Sequence, residues 1–164
     1  EISVRDWSSD VCSSDLFART VKRDDSHARG VPFRYAWKDT YTALKAMGEG
    51  DRDPYDGTLL RYINPATGGY TYPTMSCEVQ LLNSMERTKT HRHTSTAIYH
   101  VFRGQGRTQV GEGYLDWKKG DTLVIPLWQW HCHENLSSEE AVLFSINDRP
   151  VMESLQLYRE EAAR

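Results

Sequence analysis

Thr90-His91-Arg92-His93 and Gly120-Asp121-Thr122-Leu123-Val124-Ile125-Pro126-Leu127-Trp128-Gln129-Trp130-His131 are the stretches that decide how this chain is read. On an extended strand, residues two apart share a face. His91 and His93 therefore aim at one point while Arg92 points away. In the second stretch a Gly-Asp turn starts a strand, Pro126 ends it, and a third histidine, His131, follows, with Asn135 beyond it. Three imidazoles converging from two strands bind a divalent metal and leave coordination positions open. A His-x-His pair alone is a weak signal, because many such pairs are solvated or structural. The order and spacing of the two stretches together carry the reading.

Working outward, residues 75–147 read as short strands broken by turns. The expected strands are Met75–Leu82, Thr88–His93, Ala97–Arg103, Gly106–Val110, Tyr114–Trp117, Thr122–Pro126, Trp130–Asn135 and Ala141–Asn147. Such regular spacing of alternating strands argues for an all-β sandwich or barrel. His100 falls on the face opposite Tyr99 and Val101, which makes it structural or exposed. Upstream, Thr58–Ile63 reads as a further strand between turn clusters at residues 53–57 and 64–69. A short helix is expected over Thr40–Met47, capped by Asp39, with Tyr41, Leu44 and Met47 on one face and Gly48 and Gly50 ending it. Val151–Glu161 reads as a closing helix, with Leu155 and Tyr158 packing inward.

The chain has 164 residues and a formal net charge of -3, with five Trp and nine Tyr. That length suits one domain with its own core. The charge gives no sign of a nucleic-acid partner. No apolar run reaches membrane-spanning length. The aromatic content suits a lined pocket or a subunit interface, and a homo-oligomer is expected. Cys12, Cys77 and Cys132 form no CxxC motif. An odd count without that motif favours a reducing compartment, hence the cytoplasm. Residues 1 to about 16 nearly repeat themselves (Ser8-Ser9-Asp10-Val11, Ser13-Ser14-Asp15-Leu16) and resemble translated sequencing-adapter junctions of metagenomic assemblies. They are read as an artefact or a polar tail, with linker up to residue 30 that includes His27. Residues 31–164 are read as one domain.

The two decisive stretches resemble the two sequence motifs of the cupin superfamily. His91, His93 and Gly104 match the first, while Met85 stands for its opening glycine and Ala97 for its glutamate. Gly120, Asp121, Pro126, His131 and Asn135 match the second, with Trp128 in place of its inner glycine. The resemblance implies a cupin double-stranded β-helix, a jelly-roll barrel. It becomes closer at Phe33-Arg34-Tyr35-Ala36-Trp37, Asp53-Pro54-Tyr55-Asp56-Gly57, Tyr62–Gly69, His91-Arg92-His93-Thr94 and Leu157-Tyr158-Arg159-Glu160-Glu161, all of which look like gentisate 1,2-dioxygenases. Related enzymes open salicylate or 1-hydroxy-2-naphthoate. These are bicupins, and the segment looks like their C-terminal cupin. The family's catalytic iron is associated chiefly with the other half, so the chain reads as the back half of a longer gene.

What the resemblance implies is an Fe(II)-dependent, extradiol-type ring cleavage of a small aromatic hydroxy acid by O2. His91, His93 and His131 would hold the metal. Without the glutamate the ion keeps its full charge, which suits an anionic substrate chelating through two oxygens. Ni, Cu or Zn would also fit three imidazoles. If the last strand continues, His133 shares the inward face with His131, and it is either an acid/base group or a buried structural histidine. Cys132 then points away. Tyr99, Trp128 and Trp130 are candidate pocket walls or ordinary core, and Arg103 a candidate carboxylate anchor or a solvated residue. The competing reading is a metal-binding cupin without catalysis, either auxiliary or a small-molecule sensor.

Overall fold

The computed structural model describes residues 33–163. The expectations placed on residues 1–32, including Cys12, His27 and the onset of order near Val31, lie outside the described residues. Two antiparallel five-stranded sheets carry the fold. The first is ordered β1-β2-β9-β4-β7, from Thr58–Arg61, Ser76–Leu82, Ala141–Asn147, Ala97–Arg103 and Thr122–Ile125. The second is ordered β10-β3-β8-β5-β6, from Glu160–Ala162, His91–His93, His131–Asn135, Gln105–Val110 and Gly113–Lys118. This is the all-β arrangement expected from the strand spacing, in the jelly-roll form that the cupin resemblance implies.

Alternation sorts the side chains. On β4, Ala97, Tyr99 and Val101 are buried while Ile98, His100 and Phe102 face outward. The core between the sheets is built from Leu82, Tyr99, Val101, Trp117, Leu123, Ile125 and Leu143 with Ala97 and Ala141. A second apolar cluster, Leu44, Val79, Leu81 and Val142 with Trp37 and Tyr41, forms where helix α1 (Trp37–Ala46) covers the outer face of β2 and β9. Covering both faces explains why β2 reads as a nearly continuous buried run.

Helix boundaries differ from the sequence expectation. Helix α1 starts at Trp37, and Ala36 precedes it without a side-chain cap. Asp39 lies inside the first turn, where its charge suits the helix dipole rather than capping it. The closing helix is short: α2 spans Arg149–Ser154, and Gln156 then turns left-handed with φ 58°. The chain leaves the helix to add β10 to the edge of β3, where Glu160 pairs with His93 and Ala162 with His91. Leu155 is exposed rather than packed inward, whereas Tyr158 does turn inward. The open edge of β3 supplies backbone hydrogen-bond partners to this segment in place of helical ones.

The glycine-to-other departures in the two motifs have a physical meaning. Gly104 and Gly120 have φ of 88° and 93°, in the region L side chains avoid. Met85 and Trp128, standing where the motifs have glycine, adopt φ of 55° and 61°. Each carries a left-handed backbone with a Cβ, at a cost of about 1 kcal/mol. Met85 is exposed, so little packing would be lost by truncating it. Met85→Gly should therefore raise the urea midpoint, corresponding to a gain in unfolding free energy of up to about 1 kcal/mol. A lowered midpoint would show that the turn is held by the methionine side chain instead.

Candidate metal centre

The centre is set by strand pairing. β3 meets β8 with His91 directly opposite His131. His93 follows two residues on from His91 and shares its face, as the alternation requires. The Trp128 N–H donates to the His93 carbonyl at 2.7 Å and ties the loop before β8 onto β3. One ring nitrogen from each of His91, His93 and His131 lies within 4.8 Å of the other two.

Tautomers follow from the hydrogen bonds. His131 Nδ1 donates to the Gln129 carbonyl at 2.9 Å, and His93 Nδ1 to the Ser95 carbonyl at 2.7 Å. Each therefore turns an Nε2 lone pair toward the cluster. Among the described residues, His131 Nε2 and His91 Nδ1 are buried without any partner. A buried unpartnered lone pair is costly, and a cation at the point of convergence would satisfy it. The donor set thus fits a divalent ion on the geometry of the chain itself.

Burial lowers all three imidazoles below their ordinary range, His91 to about 4 and His131 to about 2, and neighbouring imidazoles add to the effect at His91 and His131. They are neutral at pH 7, the form that binds metal. His133 is fully buried and pushed down to about 3, first by burial. It does share the inward face with His131. The Trp117 indole N–H donates to Thr108 Oγ1 at 2.9 Å, and Thr108 in turn is 2.8 Å from His133 Nδ1. Trp117 is a donor, so His133 Nδ1 is the one acceptor within reach of the Thr108 hydroxyl proton among the described residues, an arrangement that puts the proton of His133 on Nε2. That Nε2–H has no partner among the described residues.

A cavity of about 40 Å³ opens beside the cluster. It has room for a few waters. Its wall includes His91, His93, Ala97, Tyr99, Asp56 and Tyr158, with Arg61, Glu78, Arg149 and Glu160 at charged positions around it. Ala97 stands where the motif has glutamate and contributes no ligand.

Of the candidate wall residues, Tyr99 lies on this cavity, its ring 4.7 Å from that of His133. Arg103 is at the opposite end of β4 from Ala97, where it pairs with Glu140 at 2.7 Å and lies over Tyr41. Trp128 and Trp130 flank the outward-pointing Arg92, each ring centroid 4.3 Å from its guanidinium carbon. These three are not brought to the cavity. His100 is exposed and meets Thr122, and Cys132 contacts Gln109 away from the cluster. Sequence reading missed Asp56, Arg61, Glu78, Arg149 and Glu160. Only the β10–β3 register could have found Glu160, since Glu161 pairs outward with Arg92 and its neighbour must point inward.

Because folding depresses these histidines, the unfolded chain binds protons that the folded chain refuses. Stability of the metal-free protein is then complete above about pH 6.5 and falls as pH drops below it, by up to about 1.4 kcal/mol per pH unit for each histidine. Urea midpoints at about pH 7.5 and about pH 5.5 should differ accordingly. Equal midpoints would mean the imidazoles are open to water.

A family model described as a cupin domain matches residues 79–147. A 5-aminosalicylate 1,2-dioxygenase from Comamonas sp is 44% identical over 131 residues, covering 79% of this chain and 35% of that relative. A gentisate 1,2-dioxygenase from Haloferax sp is 43% identical, covering 79% and 36%. The chain thus spans about a third of the length of these two. A 5-nitrosalicylic acid 1,2-dioxygenase from Bradyrhizobium sp, 25% identical, is covered over 71% of its length. Among solved structures, the G106A mutant of a salicylate 1,2-dioxygenase from Pseudoaminobacter salicylatoxidans in complex with gentisate superposes with a TM-score of 0.70 at 28% identity, covering 78% of this chain and 36% of that one. The chain carries a cupin domain, and over about four fifths of its length it resembles the gentisate- and salicylate-type dioxygenases.

Proposed function

We propose that this chain is, or is part of, an Fe(II)-dependent dioxygenase that opens the ring of a gentisate- or salicylate-type hydroxybenzoate. The observation that carries the reading is three neutral imidazoles, with unpartnered buried ring nitrogens, converging beside a cavity that holds alanine where other cupins have glutamate. Fe(II) held by His91, His93 and His131 would supply the redox chemistry through which O2 reacts with the ring.

The chain's own groups hold, orient and enclose. Tyr99 and Leu59 give the cavity an apolar wall, and Arg149 and Arg61 put cations at its rim. His133 packs against the Tyr99 ring, centroids 4.7 Å apart, and supports that wall without lining the cavity itself. The cavity is smaller than an aromatic ring requires, so entry needs Tyr158 and Arg149 to swing outward from the approach to β10 and from α2. Both are partly exposed, and Arg149 stacks on the Tyr158 ring at 4.2 Å, which lets them move together. A homo-oligomer belongs to this reading, supported by the exposed apolar row Ile98, Phe102 and Val124 on the first sheet. A cytoplasmic setting belongs to it too, supported by the unpaired Cys77 and Cys132. Among the described residues no helix is long and apolar enough to cross a membrane.

A second reading is a metal-holding cupin that does not turn over. It is favoured by the third of the relatives' length that the chain spans. The high coverage of the Bradyrhizobium relative favours the first. Anaerobic Fe(II) reconstitution followed by O2 uptake with gentisate separates them. Uptake with a ring-opened, maleylpyruvate-like absorbance is expected; stoichiometric iron without turnover would select the second reading. The His91→Ala/His93→Ala double variant should stay folded and lose metal, and unchanged metal content would overturn both.

A further inference from the structure

Asp56 lines the same cavity as His91 and His93 and has no part in the account so far. Its position is fixed by a tight turn. Asp53 and Gly57 exchange backbone hydrogen bonds at 2.7 and 2.8 Å, and the Asp56 N–H donates to the Asp53 carboxylate at 3.1 Å. Gly57 has φ 69°, and a Cβ there would meet the Leu81 carbonyl at 2.9 Å, so the turn has little freedom. Next to Asp56, the Tyr55 ring packs edge-on against His91 with centroids 5.4 Å apart.

The other carboxylates around the cavity are occupied. Glu78 is paired with Arg61 and accepts hydrogen bonds from Ser76 and Asn147. Glu160 accepts from the Tyr158 hydroxyl at 2.9 Å. Among the described residues no donor is hydrogen-bonded to the Asp56 carboxylate. It keeps slight contact with solvent but is enclosed by the cavity wall. The groups facing it are Asp53 on its own turn, Glu78 from β2, Glu160 and Tyr158 from the C-terminal run, Arg149 from α2 and Tyr99 from β4.

We propose that Asp56 is the proton acceptor of this site, taking the phenolic proton of a 2-hydroxybenzoate as the substrate binds; the inference rests on the dioxygenase reading above. The phenol O–H bond breaks and its electron pair stays on the phenol oxygen. A new O–H bond forms on the Asp56 carboxylate, which becomes neutral, and nothing is oxidised or reduced. The electrostatics favour the transfer. A substrate bringing its own negative charge enters a cavity already holding Glu78 and Glu160, and neutralising Asp56 removes one repulsion. Burial, followed by Asp53, Glu78 and Glu160, raises the Asp56 carboxyl to about 7, suited to accepting a proton near neutrality.

The test counts protons rather than turnover. Salicylate is titrated calorimetrically into the Fe(II)-loaded chain without oxygen, at about pH 8, in buffers of different ionisation enthalpy. At that pH Asp56 starts ionised, and the bound substrate's negative charge lifts its carboxyl further so that it keeps the transferred proton; the parent should then release almost no net proton, whereas Asp56→Asn should release about one more per salicylate. Asp56→Glu should return toward the parent. Equal proton release by parent and Asp56→Asn overturns the proposal. Loss of salicylate binding in both variants with metal retained also overturns it, assigning Asp56 to binding. Failure of the parent itself to bind salicylate or gentisate sinks the dioxygenase reading and this inference with it.

Discussion

The single register that sets His91 opposite His131 is what the site depends on. It brings together two histidines from separate parts of the chain, and the His93 carbonyl, held by the Trp128 N–H, keeps the third in line. The same arrangement places unpartnered imidazole nitrogens in the interior. A fold that keeps such groups buried and neutral bears their desolvation in the metal-free state. That cost is offset when a cation occupies the point where they converge. Site and fold are therefore coupled. The barrel wall fixes the ligands, and the ligands become favourable only with the ion present.

Around that centre the protein distributes charge unevenly. Arg61 and Arg149 stand among Glu78, Glu160 and Asp56. Arg61 holds Glu78, and Arg149 reaches Glu153, so neither cation is dedicated to a ligand in the closed cavity. An entering carboxylate would compete with these pairs. Partly exposed pairs of this kind are weak, which makes exchange of partners at the rim inexpensive. Beneath the cluster, the Trp117–Thr108–His133 chain works in the opposite way. It is fully buried and locks one tautomer in place.

Much of the fold was legible in the sequence, for a clear reason. A strand with one face buried repeats every two residues, and β4 and β9 were bounded correctly from that period alone. The clustering of His91, His93 and His131 was legible because their spacing and strand alternation give the same answer. The C-terminal segment was not. Leu155 and Tyr158 sit three apart, as on a helix face, yet the chain leaves α2 after Ser154 because an open strand edge at β3 offers hydrogen-bond partners that local spacing does not reveal. Arg103, Trp128 and Trp130 were placed by residue type. Their partners, Glu140 and Arg92, are brought to them by tertiary structure. The polar rim of the cavity comes from β1, β2, α2 and β10, separated in sequence, and no local pattern marks it.

The central claim is that His91, His93 and His131 hold one divalent ion through their imidazoles. X-ray absorption on the anaerobically Fe(II)-loaded chain tests it most directly. The account predicts about one iron per chain, with imidazole scattering from three histidines at roughly 2.1 Å, diminished in His131→Ala. A shell of oxygen ligands alone, or one unaltered by His131→Ala, would contradict it.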